Sequence, residues 1–140
     1  PAELAAAAYK EERSRAANDR WVGLDGGEAP RDFVERIRSG ADGFLNRIGV
    51  RRSRHTLPLW EVADPDLRVA VVAHAGTNGV LLCHMLGLDP VPWEWDRFVT
   101  RHASITRLRS FPMADGHTFS LLNLSDAEHL PADARTGAFG

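Results

Sequence analysis

RVAVVAHAGTNGVLLCHMLGL, residues Arg68 to Leu88, is the stretch on which the architecture turns. Its first part, Val69 to Ala73, is a continuous apolar run rich in β-branched valine. Such a run suits a strand buried on both faces, as in a parallel sheet covered by helices. The run stops at His74, and Ala75-Gly76-Thr77-Asn78 reads as a tight junction. An apolar helix is expected to follow, reaching Leu86 and stopping at Gly87. A polar side chain between a strand end and a helix start is well placed for anion chemistry. Backbone N–H groups without helical partners and the helix dipole face the same spot. Ligands of open α/β sheets usually bind there. The bland alternative is that His74 is only a hydrogen-bonded residue at a strand end.

Outside this stretch, bulk composition narrows the field. The 140 residues, 44% of them hydrophobic, suffice for one domain with a real core. With 17 basic against 19 acidic residues the formal charge is -2, so no basic footprint for nucleic acid exists. Cys83 is the single cysteine, which rules out an internal disulfide and a cysteine metal cluster. A small buried hydrophobe in a reducing, cytoplasmic compartment is the expectation for it. No apolar run is long enough to cross a bilayer, and no export signal is visible. The chain lacks an initiator methionine and opens mid-pattern, as a fragment of a longer protein would.

Pro1 to Asn18 is alanine-rich and helical by propensity, with a thin apolar stripe. Glu11 and Arg15 are spaced to pair at i,i+4. Arg20 to Pro30 is a glycine-broken loop in which Trp21 and Val22 read as a core anchor, and Glu28 as a solvated turn carboxylate. From Pro30 a helix is expected to run to about Gly49, since Phe33, Val34, Ile37, Phe44, Leu45 and Ile48 recur at helical spacing. Arg51, Arg52 and Arg54 read as solvated surface, and Thr56 to Val62 as an irregular apolar segment, a short helical or covering piece. No strand is expected before Arg68.

Beyond Leu88, Asp89-Pro90-Val91-Pro92 breaks structure. Trp93, Trp95, Phe98 and Val99 read as a short core-covering helix or arm. Residues 104–111 and 118–124 are strand-like, and Asp115-Gly116 between them is a hairpin signal. Residues 131–140 read as a loose tail. The expected order is helix, helix, strand, helix, hairpin: a single α/β domain over 1–140 with a lopsided sheet.

With those residues in view, the chain resembles the histidine phosphatase superfamily, which includes the cofactor-dependent phosphoglycerate mutases. The resemblance rests on VVAHAGTNGVLLCHMLGL at 71–88, SITRL at 104–108, FSLLNLSDAEHL at 119–130 and GGEAPRDFVERI at 26–37. It covers most of the chain after residue 26, and the first piece is the most specific. It implies a phosphoglycerate mutase-like three-layer α/β/α sandwich lacking its N-terminal β-α segment here. It also implies phosphomonoester chemistry through a phosphohistidine, without metal or cofactor. Two histidines and two arginines serve the phosphoryl group in that family, and a carboxylic acid protonates the leaving oxygen.

By residue-level match His74 is the second of those histidines, stabilising charge on the transferring phosphoryl group. The Ala75 N–H is the implied backbone donor, at a position where the family usually has glycine. Thr77 and Asn78 are read first as helix caps and second as substrate contacts. Ser104 lies in the family's recurring strand segment. The nucleophile motif, arginine-histidine-glycine, is absent: Arg54-His55 and Arg101-His102 lack the glycine. The nucleophile, the phosphate-binding arginines and the general acid are therefore expected upstream of Pro1. His84, two turns into the helix, is expected to pack or hydrogen-bond, and His117 and His129 to lie at the surface. The expected parent activity is hydrolysis of a small phosphomonoester, with the 140 residues alone inactive. A non-catalytic phospho-ligand binder of the same fold, or a mutase-type phosphotransferase, is the alternative. Expected partners are a small phosphorylated substrate or inorganic phosphate and a second copy of the chain, with no nucleic acid and no membrane.

Overall fold

The computed structural model describes residues 2–136. Helix α1 (Ala2–Ser14) leads through a short 3-10 turn at Asp19–Trp21 to helix α2 (Pro30–Arg47). Strands β1 (Val50–Arg52) and β2 (Trp60–Val62) come next, then helices α3 (Ala75–Met85) and α4 (Glu94–Arg97). Strands β3 (Ile105–Met113) and β4 (Gly116–Asp126) follow, and a 3-10 turn at Ala132–Ala134 comes last. The mixed α/β class holds. Among the described residues no helix is long and apolar enough to cross a membrane.

The sheet has four strands in the order β1-β2-β4-β3, every neighbouring pair antiparallel. Two hairpins are stitched together where Trp60 of β2 sits opposite His117 of β4. The expected β3–β4 hairpin is found, but it turns at Ala114-Asp115, one residue before the Asp-Gly step, with Ala114 at φ 51° and Gly116 already paired in β4. It reaches from Met113↔Gly116 to Ile105↔Asp126, with register shifts around Arg107.

Three sequence expectations are overturned. Val69–Ala73 is not the central strand: it has no ladder partner, and Val72 is 98% exposed. Composition suited to a buried strand does not itself supply the neighbouring backbone that makes one. Conversely, Val50–Arg52 and Trp60–Val62 are strands, although they read as a charged run and a covering segment. Each is three residues long, too short for a period-2 pattern to register. Val22 is not a core anchor but is exposed, while its neighbour Trp21 is half-buried beneath the Arg31 guanidinium.

The core gathers where the first hairpin meets α2 and α3. Trp60 is fully buried against Leu45 and Val50, ringed by Phe44, Ile48, Val62, Met85 and Phe119. Its ring meets Phe119 edge-on at 5.6 Å, and its indole N–H donates to the Met85 carbonyl at 3.2 Å. One residue thereby ties β2 to β4 and to the C-terminal end of α3.

Helix α2 has proline in its first turn and ends where Gly49, at φ 79°, lets the chain reverse into β1. Helix α1 is held more lightly, with Leu4 and Tyr9 exposed. Its buried Glu12 takes a two-pronged bond from Arg20 at 2.9 and 3.0 Å, and the expected Glu11–Arg15 pair stands at 4.0 Å. At the other end, the Arg135 side chain donates to the carbonyls of Leu130 and Glu128, at 2.9 Å each. Residues 137–140 of the expected tail lie outside the described residues.

Candidate functional site

Helix α3 begins one residue after His74, which is its N-cap with extended backbone at φ -73° and ψ 159°. The first helical bond runs from the Asn78 amide to the His74 carbonyl at 2.9 Å. The amides of Ala75, Gly76 and Thr77 precede it and have no partner inside the helix. His74 and Ala75 are exposed, and Gly76, Thr77 and Asn78 half-buried. Among the described residues the His74 imidazole makes no hydrogen bond or ion pair. An exposed histidine at the N-cap, followed by three amides without helical partners at the positive end of the helix dipole, is an arrangement suited to an anion.

The four residues singled out from sequence, His74, Ala75, Thr77 and Asn78, thus lie together in one turn. Their roles differ from expectation in one respect. Neither Thr77 nor Asn78 is the helix cap, because the helix begins two residues earlier than a Thr77 start would have it. The Asn78 side chain instead donates to the Ala73 carbonyl at 2.9 Å, tethering the end of the extended segment to the helix. Ser104 is engaged elsewhere: its hydroxyl donates to the Arg101 carbonyl at 2.7 Å and lies 3.3 Å from that of Ser125.

The first turn of α3 is held against α2. A Cβ on Gly76 would stand 3.5 Å from the Phe33 ring tip, so α2 abuts the helix there. Phe33 meets Trp95 of α4 edge-on at 6.2 Å, and Arg36 lies over the Phe33 ring at 5.3 Å. Arg36 in turn grips Glu28 with two bonds, 2.8 and 2.6 Å, holding the Glu28 carboxyl below its usual range. Glu28 is exposed, yet it is a paired residue rather than a free turn carboxylate. Sequence inspection missed the Glu28-Arg36-Phe33 chain because Glu28 precedes the helix, outside any i,i+4 pattern.

Farther along, α3 is closed by Gly87 at φ 71°. The Leu88 amide bonds to the Cys83 carbonyl at 2.9 Å and the Gly87 amide to the His84 carbonyl at 3.2 Å, a Schellman ending. The predicted stop at Gly87 is found. His84 is buried and hydrogen-bonded, as expected, with Nε2 2.7 Å from the Asp42 carboxylate on α2. Burial pushes its pKa down, against the upward pull of Asp42.

Cys83 is buried, again as expected. Desolvation, then a hydrogen bond to Glu94, pushes its thiol up to about 12. Glu94, fully buried, accepts from the Val91 amide at 2.8 Å and so closes the Pro90–Pro92 loop. Among the described residues no group of three or more His, Cys, Asp or Glu could hold a metal ion.

Comparison with curated proteins finds no match, and comparison with solved structures finds none. A family model does match, over residues 1–124, and its span takes in α1 through most of β4, with His74 and the start of α3 inside it. The chain belongs to the histidine phosphatase superfamily, branch 1.

Proposed function

We propose that this chain is the part of a phosphomonoester hydrolase that stabilises the transferring phosphoryl group. The observation that carries this reading is His74 standing at the N-cap of α3, beside the amides of Ala75, Gly76 and Thr77. The nucleophile is a second histidine outside these 140 residues. Its imidazole nitrogen attacks phosphorus, forming a P–N bond as the P–O bond to the alcohol breaks. An acid delivers a proton to the departing oxygen. Water then attacks phosphorus, the P–N bond breaks, and inorganic phosphate leaves.

His74 and the α3 amides act through charge. An N–H of His74 and the Ala75 amide donate to nonbridging oxygens, whose negative charge must be held during transfer. Thr77 and Asn78 border the same turn. Hydrolysis is favoured over mutase action because the insertions of the glycolytic mutases have no counterpart in the sequence. Free phosphate or a small phosphoester is the expected ligand, and the cytoplasm the expected compartment.

The test is to react the full-length protein with a generic phosphoester and look for acid-labile, base-stable phosphate on a histidine. The label is expected in the full-length protein and not in the 140 residues alone. Phosphate binding without label or turnover would favour a non-catalytic phospho-ligand binder of the same fold. Absence of both label and binding would overturn the reading.

A further inference from the structure

Away from the phosphate-facing turn, α3 meets α2 through a histidine that the proposed chemistry does not use. The His84 side chain is 4% exposed and its Nε2 is 2.7 Å from the Asp42 carboxylate. With Asp42 ionised, Nε2–H donates, which leaves Nδ1 as the unprotonated nitrogen. That Nδ1 is buried and has no hydrogen-bond partner. The Trp60 ring stands edge-on to the imidazole at 5.5 Å.

A proton added at Nδ1 would create a buried cationic N–H with no acceptor. Such a group is costly and is avoided in folded proteins unless something pairs with it. The charges around the ring do not offer a full remedy. Asp42 and Arg38 face it from α2 and Arg52 from β1; the carboxylate favours the cation and the two arginines oppose it. From α4, Arg97 and Glu94 engage Cys83, the preceding residue, rather than the imidazole.

We propose that His84 and Asp42 form a pH-sensitive clamp, holding α3 on α2 while the imidazole is neutral and releasing it when Nδ1 takes a proton. The clamp sits nine residues from the Ala75 end of the helix, roughly 14 Å along its axis. Loosening it frees the helix that carries His74 at its start. The sign follows from linkage. His84 is depressed below the ordinary 6.5 in the folded chain, so the unfolded chain binds the proton more readily. The clamp's contribution is complete above pH 6.5 and is lost as pH falls from there through the depressed value. A single proton sets the steepness at no more than about tenfold in the opening equilibrium per pH unit.

The experiment is amide hydrogen exchange of residues 80–85 between pH 7.5 and 5, corrected for intrinsic rates, with the His84 ring titrated by NMR alongside. Protection of α3 should drop below pH 6.5, and its midpoint should follow that of His84, lying below the ordinary 6.5. His84→Gln keeps an amide donor for Asp42 but cannot titrate, so its α3 protection should be flat across the range. Should that variant fail to fold, Asp42→Asn keeps an acceptor oxygen but removes the negative charge, and it should move the transition to lower pH. Equal acid loss of protection in the native chain and in His84→Gln would overturn the clamp. So would an unmoved midpoint in Asp42→Asn, or protonation of His84 with α3 protection unchanged.

Discussion

Gly79 of α3 and Glu94 of α4 touch backbone to backbone: a Cβ on Gly79 would stand 2.9 Å from the Glu94 carbonyl oxygen. The opposing atom belongs to main chain, so it cannot rotate aside. Gly79→Ala should therefore destabilise the fold by about 1–3 kcal/mol, the usual cost of overpacking a closed interface. Gly43 of α2 offers the opposite case, because nothing lies within 4 Å of the position its Cβ would take. Gly43→Ala should stabilise by about 0.5–1 kcal/mol through helix propensity alone. Urea midpoints of the two variants should thus move in opposite directions.

Val72 tests the corrected assignment of the extended segment. At 98% exposure it has no packing to lose. Val72→Thr should leave stability of the 140-residue chain within about 0.5 kcal/mol of the starting protein. A Val72 buried in a sheet would instead show a clear loss, since its replacement puts a hydroxyl among apolar neighbours. Thermal unfolding of the two proteins side by side distinguishes these outcomes.

Much of the fold was legible because local rules and tertiary packing agreed. Helix α2 announced itself through proline at its start and apolar residues at helical spacing over four turns. The end of α3 rested on Gly87, whose positive φ the turn requires, and the Asp-Gly step marked the hairpin to within one residue, the turn itself being Ala114-Asp115. The short β1 and β2 were not legible, because a three-residue strand is made by its partners. Arg51 and Arg52 look like solvated charge in a string of letters. In the structure Arg51 pairs with Glu61 across the hairpin at 2.9 Å, and Arg52 covers the Trp60 ring at 5.4 Å. The Val69–Ala73 run failed in the opposite sense, since its composition promised burial that no neighbouring strand supplies here.

The residues proposed for the candidate site lie together for a local reason: they fall within five positions of one turn, and a helix start displays its amides whatever surrounds it. What supports the site was hidden. Phe33 meets Gly76, and Asp42 meets His84, across more than forty residues of chain. Only the packing of α2 on α3 brings these partners together.

Cys83 should be chemically silent in the folded protein. It is 2% exposed, and its thiol is pushed up to about 12 by burial and by Glu94, so thiolate is scarce at neutral pH. Iodoacetamide at pH 8 should modify it only after unfolding in urea. Rapid modification without denaturant would show that the α3–α4 interface opens readily.

Phosphoester hydrolysis by the full-length protein, with and without the His74→Ala change, tests the central claim most directly. Removing one charge-stabilising donor from a preorganised site typically lowers kcat by about 10²–10³-fold. A loss of that size is predicted, with the His74→Ala protein retaining native circular dichroism because the imidazole is exposed and makes no hydrogen bond or ion pair among the described residues, while the His74 carbonyl that accepts from the Asn78 amide is kept. Undiminished kcat in the His74→Ala protein would contradict the account.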